Sequence, residues 1–194
     1  RNKSVETVGT ISSPNISEIL KFTLLWSDNT KADRLARFAA RSLGYTPDAF
    51  GIQQAMENVF PSLGISTSGL QVYDGAGLAK FNKVSVRTVA QLLVRIKSDP
   101  KYAAIKEGLP VAGESGTLRN RYKEVAQSAA GLVRAKTGWI NGTVSLAGYV
   151  NVGEQEYVFV VIADRIQPSE PRRKAARETI DKMLATIARP VQAP

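Results

Sequence analysis

Residues 132–163 read LVRAKTGWINGTVSLAGYVNVGEQEYVFVVIA, and this stretch decides the fold. Leu132 to Ile140, Thr143 to Val150 and Tyr157 to Ala163 have the length and the β-branched, aromatic content of strands. Asn141-Gly142 is a pair that tolerates the positive φ angles of a two-residue hairpin. Asn151-Val152-Gly153-Glu154 supplies a second turn. Three strands joined this tightly predict an antiparallel meander. Such a sheet needs cover, and its flanks offer it. Downstream, a basic helix is predicted from about Pro171 to Ala188, with Ile180, Met183, Leu184 and Ile187 turned toward the sheet.

Upstream the apolar period changes from strand to helix. Ser13-Pro14 has the form of a helix start, since proline in the first turn loses no hydrogen bond, and Ile16, Ile19, Leu20, Phe22, Thr23 and Trp26 follow at helical spacing. A second helix is expected from about Lys31 to Gly44, with Leu35, Phe38, Ala39 and Leu43 inward. A third is expected from Thr46-Pro47 to about Phe60, and a fourth from an Ser85 N-cap to Lys97. Asp99-Pro100 opens a short one. Residues 64–84 are rich in Gly and Ser and read as loop with short strand, residues 108–131 are irregular and glycine-rich, and residues 1–10 alternate weakly, as one strand would. The expected fold class is therefore α+β: a helical part over about 13–131, a meander over 132–163 and a closing helix over about 171–188.

Composition narrows the chemistry. The chain of 194 residues fits one domain, and no apolar run approaches the ~20 residues that span a bilayer. It has no cysteine and no histidine, which excludes disulfides, thiolate nucleophiles and every His-dependent triad. In a hydrolase of this composition, lysine or a carboxylate must move the protons. No metal or cofactor is expected. The net charge of +9 would attract polyanions. The basic residues, however, are spread at helical spacing (Lys31, Arg34, Arg37, Arg41) without interleaved aromatics, so no nucleic-acid partner is expected.

Two short motifs carry the chemistry. Ser27-Asp28-Asn29 falls in the break between the first two helices, and Lys136-Thr137-Gly138 lies on the strand entering the first hairpin. A hydroxyl on an interhelical turn can pass a proton, and an amide can hold a peptide carbonyl. Glycine at 138 lets an extended peptide approach the strand edge. The Lys136 ammonium and Thr137 hydroxyl can hold a terminal carboxylate. Each motif also has a plain structural account, as a helix cap and as the approach to a turn.

Together these motifs resemble the active-site set of penicillin-binding proteins and class A β-lactamases. Other segments resemble the low-molecular-mass class C D-alanyl-D-alanine carboxypeptidase/endopeptidases more narrowly: Ile11-Ser12-Ser13-Pro14 running to Asn29, Asp74-Gly75-Ala76-Gly77-Leu78, Leu109-Pro110-Val111-Ala112-Gly113 with Gly116-Thr117-Leu118, Arg134 to Gly138, and Ala147-Gly148-Tyr149. The resemblance spans about residues 5–165. It implies a penicillin-binding transpeptidase/β-lactamase-like fold and an exported, extracytoplasmic protein. It also implies stem peptides ending in D-Ala-D-Ala as substrates and β-lactams as acylating ligands. It assigns Ser27 and Lys136 to proton relay, Asn29 to substrate orientation, Lys136, Thr137 and Gly138 to the terminal carboxylate and strand, and the Trp139 N–H to half of an oxyanion hole. Two positions depart from the family pattern: Ala76 replaces a usual serine, and Trp139 replaces a threonine whose hydroxyl contacts the carboxylate.

The resemblance further implies a nucleophilic serine in a Ser-x-x-Lys motif upstream of Ser-Asp-Asn, where no such motif occurs. The one match, Ser98-Asp99-Pro100-Lys101, lies downstream and reads as an N-cap. The expectation is thus the C-terminal part of a DD-peptidase catalytic domain, inactive alone and completed by an N-terminal segment of the same protein. The rivals are a non-catalytic, penicillin-recognising or wall-binding module of the same fold, a basic nucleic-acid-binding domain, and a class A β-lactamase.

Overall fold

The computed structural model describes residues 8–190, and nearly all of the strand expected over 1–10 lies outside them; residues 8–10 form no strand. Six α-helices and three strands follow in the order α1 (Ile16–Trp26), α2 (Asn29–Ser42), α3 (Ala49–Ser62), α4 (Val86–Ser98), α5 (Ala103–Gly108), β1 (Val133–Ile140), β2 (Thr143–Val152), β3 (Gln155–Ala163) and α6 (Glu170–Ile187). Short 3-10 turns at Pro100–Tyr102, Gly116–Leu118 and Gln127–Ala129 stitch the irregular segments.

The sheet is the predicted antiparallel meander, β1-β2-β3. Ile140 pairs with Thr143 across Asn141-Gly142, where Gly142 has φ +88°. The second turn is shorter than expected. Pairing continues through Asn151–Glu156 and Val152–Gln155, so only Gly153-Glu154 remain to reverse the chain. Both faces are buried, which explains the near-continuous apolar runs of β2 and β3. On one face Val133, Ala135, Val144, Leu146 and Val150 pack against Ile180 and Leu184 of α6, with Leu118, Tyr122 and Ala129 from the loops. On the other, Tyr149, Ala147, Val158 and Val160 meet Leu93 and Ile96 of α4, Leu109 and Leu24 of α1.

Several helix expectations change in detail. The N-cap of α1 is Asn15, not Ser13: its side chain accepts from the Glu18 N–H (2.9 Å) and the Glu18 carboxylate accepts from the Asn15 N–H (3.0 Å). This reciprocal box satisfies two otherwise orphaned donors. Helix α2 begins at Asn29 rather than Lys31, capped by Asp28. Its inward residues are Ala36 and Ala40, whereas Phe38 is 67% exposed. The cause is a close approach: a Cβ on Gly75 would stand 2.4 Å from Ala36 Cβ, so only a small-residue face can receive the 74–79 loop. Ser98 ends α4 and Asp99 caps the next turn by accepting from the Lys101 N–H, so the N-cap expected at Ser98 falls one residue later.

On α6, Ile180 and Leu184 are buried as expected, but Met183 and Ile187 face out. Their place is taken by Ala176, Ala185 and the buried Asp181. Asp181 accepts from Arg121 Nε (3.1 Å) and Nη2 (2.5 Å), a forked ion pair that ties α6 to the 119–131 segment. Asp181→Ala should cost about 3–5 kcal/mol by stranding the Arg121 charge. The readout is a lower urea midpoint with an unchanged slope. Replacing both partners, Arg121→Met with Asp181→Leu, should recover most of that loss; if the double variant is no better than the single, the pair is not what holds α6.

Candidate active site

The turn between α1 and α2 fixes Ser27. After Trp26 the chain enters the left-handed region at Ser27 (φ 57°, ψ 47°), and the Asp28 N–H returns to Thr23 O at 3.1 Å. A non-glycine residue there costs on the order of 1–3 kcal/mol and is held by what surrounds it. Here the holding group is Asp28, which accepts from the Lys31 N–H (2.9 Å) and ammonium (2.5 Å) and starts α2. The Lys31 contacts hold the Asp28 carboxyl below its ordinary value. Asn29 is the first residue of α2, and it is exposed.

Strand β1 brings the second motif to that turn. Lys136 Nζ donates to Ser27 Oγ at 2.6 Å and to Thr137 O at 2.7 Å. Burial of the ammonium lowers its pKa to about 8, which leaves it able to give or take a proton near neutrality. The hydrogen bonds of β1 also show which backbone groups face outward. Val133 O accepts from the Ala112 N–H (2.8 Å) and the Ala135 N–H donates to Pro110 O (2.9 Å), on the side away from β2. Residues two apart point the same way, so the N–H and C=O groups of Thr137 and Trp139 face the same edge. Segment 110–112 covers that edge only at Val133–Ala135, and beyond it no described main-chain group pairs there. An extended peptide could add to it.

Side-chain parity divides the remaining residues. Thr137 and Trp139 project to the α6 face, opposite to Lys136. Thr137 Oγ1 lies 3.0 Å from Thr117 Oγ1. Thr117 had no assigned role in the sequence, where it was one letter in a matching segment; only folding brings it across to β1. Its neighbour explains the placement: Gly116 has φ +51°, and a Cβ there would stand 2.3 Å from Leu25 O, so this turn lies flat against the end of α1. The expectation for Gly138 gains an internal reason, because a Cβ would meet Ser145 Oγ of β2 at 2.2 Å. The Trp139 indole is 55% exposed and lies beneath the Arg173 guanidinium, 4.2 Å from the ring centre.

The other sequence candidates lie apart. Ser98 Oγ donates to Arg95 O (3.1 Å), and the Lys101 ammonium lies over the Tyr102 ring (5.8 Å), so the two do not form a serine–lysine pair. The loop carrying Ala76 is fixed by Asp74, which accepts from the N–H groups of Ala76 (2.7 Å), Leu78 (3.1 Å) and Ala79 (2.6 Å) and from the Asn82 amide (3.1 Å). Burial works to raise the Asp74 carboxyl, and these donors outweigh it, leaving it below its ordinary value. Among the described residues no group of His, Cys, Asp or Glu could hold a metal ion. The assembled groups are a near-neutral lysine on a hydroxyl, a pair of threonine hydroxyls and a free strand edge. They suit proton relay and capture of a peptide carboxylate.

The chain as a whole is similar to known proteins. Residues 1–187 match the D-Ala-D-Ala carboxypeptidase 3 (S13) family. A D-alanyl-D-alanine carboxypeptidase of Actinomadura sp. (strain R39) is 34% identical over 195 residues, covering 96% of this chain and 35% of that protein. Carboxypeptidase DacB of Mycolicibacterium smegmatis is 32% identical over 186 residues, covering 93% of this chain and 39% of its own length. The chain thus spans little more than a third of these relatives. The crystal structure of penicillin binding protein 4 from Haemophilus influenzae superposes with a TM-score of 0.76 at 25% identity, over 87% of this chain and 38% of that one. The α+β arrangement, an antiparallel sheet flanked by helices, is the penicillin-binding protein fold.

Proposed function

Because the chain belongs to the D-Ala-D-Ala carboxypeptidase 3 (S13) family, we propose that it supplies the relay and carboxylate-binding half of a serine-type D-Ala-D-Ala carboxypeptidase/endopeptidase site in an exported protein. The observation that carries this is the Lys136 ammonium held 2.6 Å from Ser27 Oγ beside an open strand edge. The substrate is a peptidoglycan stem peptide, docked antiparallel along Thr137–Trp139 with its terminal carboxylate on Lys136 and Thr137. A serine from outside residues 1–194, with a lysine beside it as base, attacks the penultimate D-alanine carbonyl. The Trp139 N–H receives the developing oxyanion, and Asn29 orients the peptide. As the C–N bond breaks, a proton passes through Ser27 and Lys136 to the leaving amine. Water then hydrolyses the ester. β-Lactams enter by the same first step. Lacking the family hydroxyl, Trp139 leaves the carboxylate to Lys136 and the Thr137 hydroxyl that Thr117 orients. No step calls for a metal or cofactor, and the chain alone is inactive.

The Ala76 and Trp139 departures favour one other reading, a non-catalytic module of the same fold that binds wall peptide or penicillin. Labelled benzylpenicillin added to the protein carrying this chain separates the two. The expected adduct is on a serine outside residues 1–194. A label on Ser27 or Ser98 would reassign the nucleophile, and no covalent label at all would transfer the case to the binding module.

A further inference from the structure

The turn that carries Thr117 also carries an arginine with no part in the relay. Residues 116–119 touch both walls of the gap between the α1–α2 turn and β1. Gly116 lies against Leu25 of α1, and Thr117 Oγ1 stands 3.0 Å from Thr137 Oγ1 of β1. The Arg119 guanidinium rests on the Trp26 ring, 5.5 Å from its centre. Trp26 immediately precedes Ser27, and consecutive Cα atoms are about 3.8 Å apart, so Arg119 is held at the α1 wall of the gap. Two residues further on, the forked pair of Arg121 with Asp181 ties this segment to α6. Arg119 is exposed, and among the described residues no carboxylate pairs with it. The acids on the adjoining elements, Asp28 and Asp181, already hold Lys31 and Arg121. A cation over a ring face leaves the N–H groups of a guanidinium open to a carboxylate.

A peptide carboxylate at Lys136 and Thr137 is short of donors. An ammonium has three, and two of those of Lys136 go to Ser27 Oγ and Thr137 O. Burial lowers the Lys136 pKa to about 8, whereas a guanidinium keeps its charge at any working pH. The Trp139 side chain adds no hydroxyl. We propose that Arg119, carried on Trp26, is a substrate-binding residue that supplies the second cation for the terminal carboxylate of the peptide. The proposal rests on the DD-peptidase reading for the position of that carboxylate.

The test is equilibrium binding to the protein carrying this chain of two peptides ending in D-Ala-D-Ala, one with a free terminal carboxylate and one with a carboxamide. The unaltered protein should prefer the acid. In Arg119→Gln the acid should bind about tenfold more weakly, as loss of one partly exposed charge-assisted contact gives, while the amide is unchanged. Arg119→Lys, which keeps the charge without the fork, should fall between. A preference that survives Arg119→Gln undiminished overturns the assignment. So does equal weakening of both peptides, the mark of a structural role, or failure of either peptide to bind the unaltered protein. Labelled benzylpenicillin tests the underlying reading separately. With no covalent label the DD-peptidase reading fails, and an acid preference lost in Arg119→Gln still upholds Arg119 as the carboxylate-binding residue.

Discussion

Lys136→Met should lower the rate of acylation by benzylpenicillin of the protein carrying this chain by roughly 10²–10⁴-fold, the usual contribution of a positioned proton-transfer group. Lys136→Arg should fare little better, because guanidinium stays protonated and cannot relay. In the unaltered protein, acylation should fall as pH rises through about 8, where Lys136 loses the charge that holds the carboxylate in the proposed site. Lys136→Met should lack that limb. Folding should respond in the opposite sense. The Lys136 pKa is depressed in the folded state, from 10.5 to about 8, so between those values the unfolded chain binds more protons and stability rises with pH. Below pH 8 the buried charge weighs against folding in full, on the order of 3 kcal/mol. Lys136→Met should therefore be as stable as the unaltered protein or more so at pH 7, and that advantage should vanish above pH 10.5. Acylation retained within threefold in Lys136→Met would remove this lysine from the mechanism.

Gly116→Ala should damage both the fold and the site. It would place Cβ 2.3 Å from Leu25 O and 2.7 Å from Leu25 Cδ1, on backbone at φ +51°. The turn cannot retreat cheaply, since Leu118 beside it is fully buried in the core of the α6 face. Relief must come from moving α1, and with it Ser27, away from β1. A loss of about 3 kcal/mol or more is expected. The remaining folded fraction should acylate about 10²-fold more slowly, as a displacement near 1 Å can impose. Gly153→Ala is the control: its φ of +60° is similar, but nothing lies within 4 Å of the new Cβ. It should cost only the left-handed backbone term, about 1 kcal/mol. Equal midpoints for the two variants in urea unfolding would show that the contact with Leu25 does not hold the site together.

The sequence by itself determined the sheet, the helix count in its long segments and both motif positions, because those features are local. A strand is legible where β-branched residues run between turn pairs, and Asn141-Gly142 sets the β1–β2 register without help from the rest of the chain. Ser85 as the cap of α4 was legible for the same reason. What only the tertiary structure decided is which face of a helix is inward and which distant groups meet. Phe38 has the hydrophobicity to be core, yet α2 turns Ala36 and Ala40 inward: the 74–79 loop lies too close to Ala36 for anything larger, and Ala40 packs with Ile52 and Ala55. Met183 loses its place to Asp181, which is tolerable inside only because Arg121, sixty residues away in the chain, satisfies it. Nothing where Thr117 and Arg173 stand in the sequence points to the contacts they make. Their partners, Thr137 and Trp139, lie on a strand that reaches them only when the chain is folded. The Ser27–Lys136 contact spans 109 residues: the family resemblance implied it, and packing of the α1–α2 turn on the β1 edge makes it a 2.6 Å hydrogen bond.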